Sequence, residues 1–285
     1  MRLLLTGGSG FLGTGILNHA PRAWEITATY RTQTLSTVRA SVLRLDLRDA
    51  GAVDRLFAEF RPDVVIHTAA LMRGDEMQSV NVDGSRHIAR AAAQADARLI
   101  HLSSDVIFDG EHAPYTEEAP PDPISAYGRS KAEGEAVVCA AHSHPVIVRT
   151  SLIYSLHPPD PRTAQALAGA MPRLFTDEYR CPILVDDLAD ALIELATLDY
   201  AGVLNVAGSQ RLNRYEFGLK LAHTLGIEPR FSAALSEPVT VLRAGQPVPD
   251  RRPRDCTLDV SRAQNMLRTS LRGVDAVLET LSKRN

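Results

Sequence analysis

The most constraining feature lies in the first thirteen residues. A short apolar run, Leu3-Leu4-Leu5, gives way at once to Thr6-Gly7-Gly8-Ser9-Gly10-Phe11-Leu12-Gly13. Two glycine spacings overlap there. Gly8, Gly10 and Gly13 satisfy G-x-G-x-x-G, while Gly7, Gly10 and Gly13 satisfy G-x-x-G-x-x-G. Both demand a tight turn after a strand, close backbone approach to a pyrophosphate, and a helix N-terminus aimed at the anion. A glycine-rich turn without a ligand is the plain alternative, and such a motif alone is weak. Its context decides: the loop follows the first strand and opens a helix. Gly7, Gly10, Phe11, Leu12 and Gly13 are therefore the expected pyrophosphate cradle.

Further apolar runs follow at intervals: Glu25–Tyr30, Val42–Leu45, Val64–Ile66, Leu99–Leu102 and Val146–Val148. Such runs suit parallel strands buried on both faces. Helical patterns lie between them. Ala52, Val53, Leu56, Phe57 and Phe60 share helical spacing, with Asp49 as N-cap and Pro62 beyond the end. Val80–Ala97 and Ala132–Ala141 are alanine-rich. Strand–helix alternation over about 150 residues predicts an α/β fold, a Rossmann-type doubly wound parallel sheet.

The later part is broken by Pro158, Pro159, Pro161 and Pro172. Helices are expected at Asp187–Leu198, Tyr215–Leu225, Ser261–Leu267 and Val274–Leu281, and a seventh strand at Val203–Val206. This predicts an NAD(P)-binding domain over residues 1–155, with 183–207 returning to it. Residues 156–182 and 208–285 form a smaller C-terminal substrate-binding lobe beside the sheet's carboxyl edge.

Composition excludes several classes. In 285 residues the formal net charge is −3 and basic residues are scattered, so no nucleic-acid or anionic-membrane partner is implied. No run approaches the ~20 apolar residues of a membrane span. The N-terminus lacks the apolar core of a signal peptide, so a cytoplasmic location is expected. Cys139, Cys181 and Cys256 form no CxxC, and no metal site is expected.

Cofactor choice is read near the end of the second strand, where NAD enzymes usually place an acid on the ribose 2′-hydroxyl. From Ile26 to Val42 there is none, and Arg31 follows Tyr30 directly. A guanidinium is the natural partner of a 2′-phosphate, so NADP(H) is expected, with NAD(H) left open.

Tyr127-Gly128-Arg129-Ser130-Lys131 is a YxxxK. On a helix these two residues share a face, and the ammonium is expected to stabilise the phenolate and lower its pKa. The fifth strand ends in Leu102-Ser103-Ser104-Asp105, where ligands sit in open α/β sheets. Each element alone is ambiguous. A glycine loop, a strand-end serine and a YxxxK in this order form a joint signature of a carbonyl reductase.

At these residues the chain resembles the extended short-chain dehydrogenase/reductases, and within them the dTDP-4-dehydrorhamnose reductase family. The similarity rests on TGGSGFLG, on SSDVIFDG, PYTEEAPPDP and YGRSKAEGE between Leu102 and Glu135, and on RCPILVDDLADAL and RRPRDCTLDVSRAQNML. The resemblance implies a nucleotide-sugar keto reductase. Tyr127 is its acid/base, Lys131 its tuner and a contact of the nicotinamide ribose, and Ser104 the third catalytic group. It also implies Asp46-Leu47 beside adenine, Ala69-Ala70 along the cofactor, and Asp105 and Arg252 on the substrate, Arg252 at its diphosphate. Two segments depart from the family pattern. Thr150-Ser151-Leu152 stands where TSW is usual, and Asp177–Ile183 replaces a DQxGxPT-like run, so the rhamnose precursor itself is in doubt. A dehydratase needs an Asp-Glu pair where this chain has Asp105-Val106. An NAD-dependent epimerase and a non-catalytic NADP-binding regulatory subunit stay open, as does a homodimer.

Overall fold

The computed structural model describes every residue except 157, 237–238, 244–245 and 283–285, all within the expected second lobe. Seven parallel strands form the main sheet: β1 (Arg2–Thr6), β2 (Glu25–Tyr30), β3 (Ser41–Arg44), β4 (Val64–His67), β5 (Arg98–Leu102), β6 (Val146–Arg149) and β7 (Gly202–Asn205). Their order is β7-β6-β5-β4-β1-β2-β3. Leu3 pairs with Ile26 on one side and with Val64 on the other. The chain therefore reverses direction across the sheet between β1 and β4, and a ligand crevice belongs at their carboxyl ends.

The strands are apolar on both faces because both are covered. Leu3, Leu5, Val64 and Ile66 face α1 (Phe11–His19) and α6 (Val185–Leu195), packing with Leu12, Ile16, Leu188 and Leu192. Leu4 and Val65, one residue out of phase, face α2 (Ala50–Phe60), α3 (Gly84–Gln94) and α4 (Ala126–Ala141), packing with Val53, Phe57, Ile88 and Val138. The period of two in each strand thus builds two separate cores. Each fully buried Leu, Ile or Val contributes about 1.5–3 kcal/mol of transfer free energy.

Local signals set the helix ends. Asp49 caps α2, accepting from Ala52 N at 2.9 Å, and Arg61, left-handed at φ 50°, ends it just before Pro62. Ser125 caps α4, accepting from Gly128 N at 3.0 Å, so this helix starts six residues before the alanine-rich run at Ala132. The helix expected from Val80 opens instead as a π turn, Ser79–Asp83, before α3. Asn81 lies in that turn and closes a backbone pair with Leu71, at 2.7 Å and 2.8 Å, while donating to Ser130 Oγ at 2.9 Å.

Beyond β6 a third core gathers Tyr154, Leu184, Phe217, Leu221, Val274 and Leu278. It joins α7 (Arg214–Thr224) to α9 (Val274–Ser282), while α5 (Pro161–Leu167) and α8 (Ser261–Met266) complete the helices described. A capping box fixes the start of α7: Glu216 N donates to Asn213 Oδ1 at 2.8 Å, and Asn213 N donates to Glu216 Oε2 at 3.1 Å. Short strand pairs that sequence patterning did not reveal stitch this region together, Ile153–Tyr154 with Ile183–Leu184 and Tyr179–Arg180 with Leu212–Asn213. No described helix is long and apolar enough to cross a membrane.

Candidate active site

The glycine loop is shaped by close backbone approach. Gly7 has φ +74°, and a Cβ there would lie 2.8 Å from Ala69 N. A Cβ on Gly13 would lie 2.2 Å from Gly7 O. The loop closes on itself through Gly10 N to Gly7 O at 2.9 Å and is pinned to β2 by Gly8 N to Thr29 O at 2.8 Å. No side chain caps α1, so the amides of Phe11, Leu12 and Gly13 remain available as donors at a helix N-terminus. These residues fit a pyrophosphate. The same geometry brings Ala69, after β4, against the loop. Leu47 is buried under α3, with Gly84 above it, and its carbonyl accepts from His87 Nδ1 at 2.8 Å.

At the end of β2, Arg31 Nη1 binds Glu76 Oε2 at 2.7 Å. Glu76 also pairs with Arg48. Arg48 in turn holds Asp46, at 2.6 Å, and lowers that carboxyl to about 2. Sequence reading found no acid near Arg31 because it searched the same stretch of chain. Glu76 arrives from the segment after β4, about 45 residues away. Two arginines thus converge beyond the end of β2, with one carboxylate between them.

The carboxyl ends of β5 and β6 open onto a cleft of about 620 Å³. Phe11 from the glycine loop, Ser104, Asp105, Tyr127, Arg180, Arg214 and Arg252 all line it. The cofactor loop, the strand-end serine and the YxxxK tyrosine are therefore on one cavity. Tyr127 is half-buried, and its phenol is pushed up to about 12, first by burial and then by the charge of Asp105, with Arg162 acting the other way. Lys131 is buried and donates from Nζ to Leu102 O at 2.6 Å. Burial brings its ammonium down to about 8. The expected lowering of the Tyr127 pKa by Lys131 is absent from this arrangement. Desolvation outweighs it at the tyrosine, and the ammonium is directed at the strand end.

Ser104 is half-buried and caps the turn Asp105–Ile107, with Val106 N 3.5 Å from its Oγ. Asp105 is buried, and burial raises its carboxyl pKa against the opposing pull of Arg180, 3.7 Å away. Ser151 Oγ donates to Asp105 at 2.6 Å and accepts from Cys181 N at 3.1 Å. The Arg180 guanidinium also donates to Tyr179 O, Arg254 O and Pro253 O, which fixes the loop carrying Arg252. Arg252 lies 5.2 Å from the Phe175 ring and 3.4 Å from Glu178.

Sequence reading missed Ser151, Glu178, Arg180 and Arg214 as cleft residues. Ser151 and Arg180 fall in the two segments that depart from the family pattern, which was the available signal. Arg214 had none, since it is the first residue of an otherwise ordinary helix. Among the described residues no group of three or more His, Cys, Asp or Glu could hold a metal ion.

Comparison with known proteins gives a consistent picture. The family model described as the RmlD substrate binding domain matches residues 1–284. A dTDP-4-dehydrorhamnose reductase from Mycobacterium tuberculosis is 31% identical, covering 80% of this chain and 77% of that one. Methionine adenosyltransferase 2 subunit beta from Bos taurus is 27% identical, covering 93% of this chain and 82% of that protein. The crystal structure of a hypothetical dTDP-4-dehydrorhamnose reductase from Sulfolobus tokodaii superposes with a TM-score of 0.82 at 30% identity, covering 98% of this chain and 99% of that one.

Proposed function

Since the chain belongs to the RmlD substrate binding domain family, we propose that it is an NADP(H)-dependent reductase of a keto group on a nucleotide-linked sugar. One observation carries the proposal. Ser104 and Tyr127 open onto the same cleft as Phe11 of the glycine loop, and Lys131 is buried and bonded to the strand end that leads to Ser104. Residues 1–155 with 183–207 hold the dinucleotide in this reading. Residues 156–182 and 208–285 hold the sugar nucleotide.

The cofactor supplies a hydride. The chain's part is to position and to move one proton. Gly7, Gly10 and Gly13 admit the pyrophosphate, and Arg31 with Arg48 receives the 2′-phosphate. Ser104 Oγ orients the substrate oxygen. Tyr127 donates its proton to that oxygen as charge develops there. A phenol held at about 12 is fully protonated near neutrality, which suits a proton donor. Lys131, with its ammonium near 8, stabilises the phenolate left after transfer. The test is a spectrophotometric NADPH-oxidation screen across nucleotide 4-keto sugars, in which at least one turns over.

A second reading is favoured by the mammalian relative, whose name makes it a subunit of methionine adenosyltransferase. A cofactor-binding regulatory subunit would leave the screen silent and form a stoichiometric complex with a partner enzyme on gel filtration.

A further inference from the structure

The cleft has more positive charge than its own acids neutralise. Arg162, Arg180, Arg214, Arg251 and Arg252 line it, against Asp105, Asp160 and Glu178. The acids are already committed. Asp160 caps α5, accepting from Arg162 N at 3.0 Å and Thr163 N at 3.1 Å, and also from the Thr163 hydroxyl. Asp105 faces Arg180, and Glu178 faces Arg252. Arg180 donates to three backbone carbonyls.

Arg214 differs from Arg162, Arg180 and Arg252, whose side chains have partners, and from Arg251, which is exposed. Among the described residues its guanidinium makes no hydrogen bond and no ion pair, and its backbone N–H alone is engaged, with Glu178 O at 3.1 Å. Arg162, Arg180 and Arg252 all oppose its charge, as burial does, and only Glu178 supports it. A half-buried guanidinium among three other cations is an unfavourable arrangement in the protein alone, and an anionic ligand group relieves it. Arg162 is its neighbour and, among the described residues, its side chain has only the Met72 sulfur, at 3.6 Å, as a partner.

The two arginines sit at a particular place. Both line the cleft and also a smaller, mainly apolar pocket of about 30 Å³ that opens beside it, between α5 and α7. Arg162 lies close enough to Tyr127 to favour its phenolate. Tyr127 marks the reacting carbon, so these cations face the sugar ring. Arg252 lies 5.2 Å from Phe175 and pairs with Glu178.

We propose that Arg214 and Arg162 form a second anion subsite, and that the sugar of the preferred substrate carries a carboxylate, as a hexuronate does. The inference rests on the nucleotide-sugar reading above. A carboxylate on the sugar satisfies the guanidinium of Arg214 through a charge-assisted, two-pronged hydrogen bond. The diphosphate remains with Arg252.

Calorimetric titration of the NADP⁺-loaded protein tests this with matched stable sugars: UDP-glucuronic acid against UDP-glucose, and dTDP-glucuronic acid against dTDP-glucose. The uronate of at least one pair binds about tenfold or more tighter than its neutral partner, the scale of one charged hydrogen bond. Arg214→Met removes that advantage, while Arg252→Met weakens both members of the pair alike. Equal binding of uronate and neutral sugar by the parent overturns the proposal without any variant. So does an Arg214→Met effect of the same size on both, which assigns Arg214 to the diphosphate. If no member of either pair binds, the nucleotide-sugar reading fails and this inference with it.

Discussion

Lys131 Nζ donates to the carbonyl oxygen of Leu102 at 2.6 Å, tying the middle of α4 to the last residue of β5. The two residues after Leu102 are Ser103 and Ser104, so this bond fixes where the strand end presents its hydroxyls. The position of the lysine has a consequence for stability.

Burial holds the Lys131 ammonium at about 8, against an ordinary 10.5. Between those values the unfolded chain keeps its proton while the folded protein has released it. Stability therefore rises with pH across that window. Relative to Lys131→Met, the parent should gain about 2–3 kcal/mol between about pH 8 and pH 10, at about 1.4 kcal/mol per unit. The comparison stops near pH 10 because the unfolded lysine, with its ordinary value of 10.5, then begins to lose its proton as well. Urea denaturation of both proteins across this range is the measurement. A pH-independent difference contradicts the assignment.

The cofactor prediction follows from the triangle of Arg31, Arg48 and Glu76. NADPH should bind more tightly than NADH by calorimetry. Arg31→Ala should narrow the gap by about 1.5–3 kcal/mol, the value of one charge-assisted hydrogen bond. Glu76→Gln should widen it, because it frees both guanidinium groups for the 2′-phosphate. Equal binding of the two cofactors by the parent protein would sink the NADP(H) assignment.

Deeper in the fold, Arg149 on β6 pairs with Glu135 on α4 at 2.9 Å, both almost completely buried. Arg149 also donates to the carbonyls of Glu117 and Ala119, so one side chain joins the sheet, the helix that carries Tyr127 and the loop before it. Glu135→Ala leaves an uncompensated buried charge and should cost about 3–5 kcal/mol in chemical denaturation. A loss below about 1 kcal/mol, the scale of an exposed pair, shows that the guanidinium is solvated after all.

The sheet was legible in the sequence because buried parallel strands write themselves as apolar runs, and the glycine loop announces its own strand and helix. That Ser104 and Tyr127 would meet at one cleft was legible because one ends a strand and the other opens a helix beside it. Spacing says nothing of burial, which is what raises the Tyr127 phenol in the folded protein. Glu76 beside Arg31 and Glu178 beside Arg252 depend on segments meeting across the fold. The pairing of Tyr179–Arg180 with Leu212–Asn213 escaped notice because strands of two residues have no period to detect.

In the proposed reaction Tyr127 delivers a proton to a sugar carbonyl. Tyr127→Phe removes only the hydroxyl and leaves the ring in the same wall of the cleft. With a nucleotide keto sugar identified in the NADPH screen, single-wavelength turnover of parent and variant is the direct measurement. NADPH affinity and folding should survive, and turnover should fall by about 10²–10⁴-fold, the usual share of general acid catalysis. Turnover of the phenylalanine variant at close to the parental rate would contradict the claim.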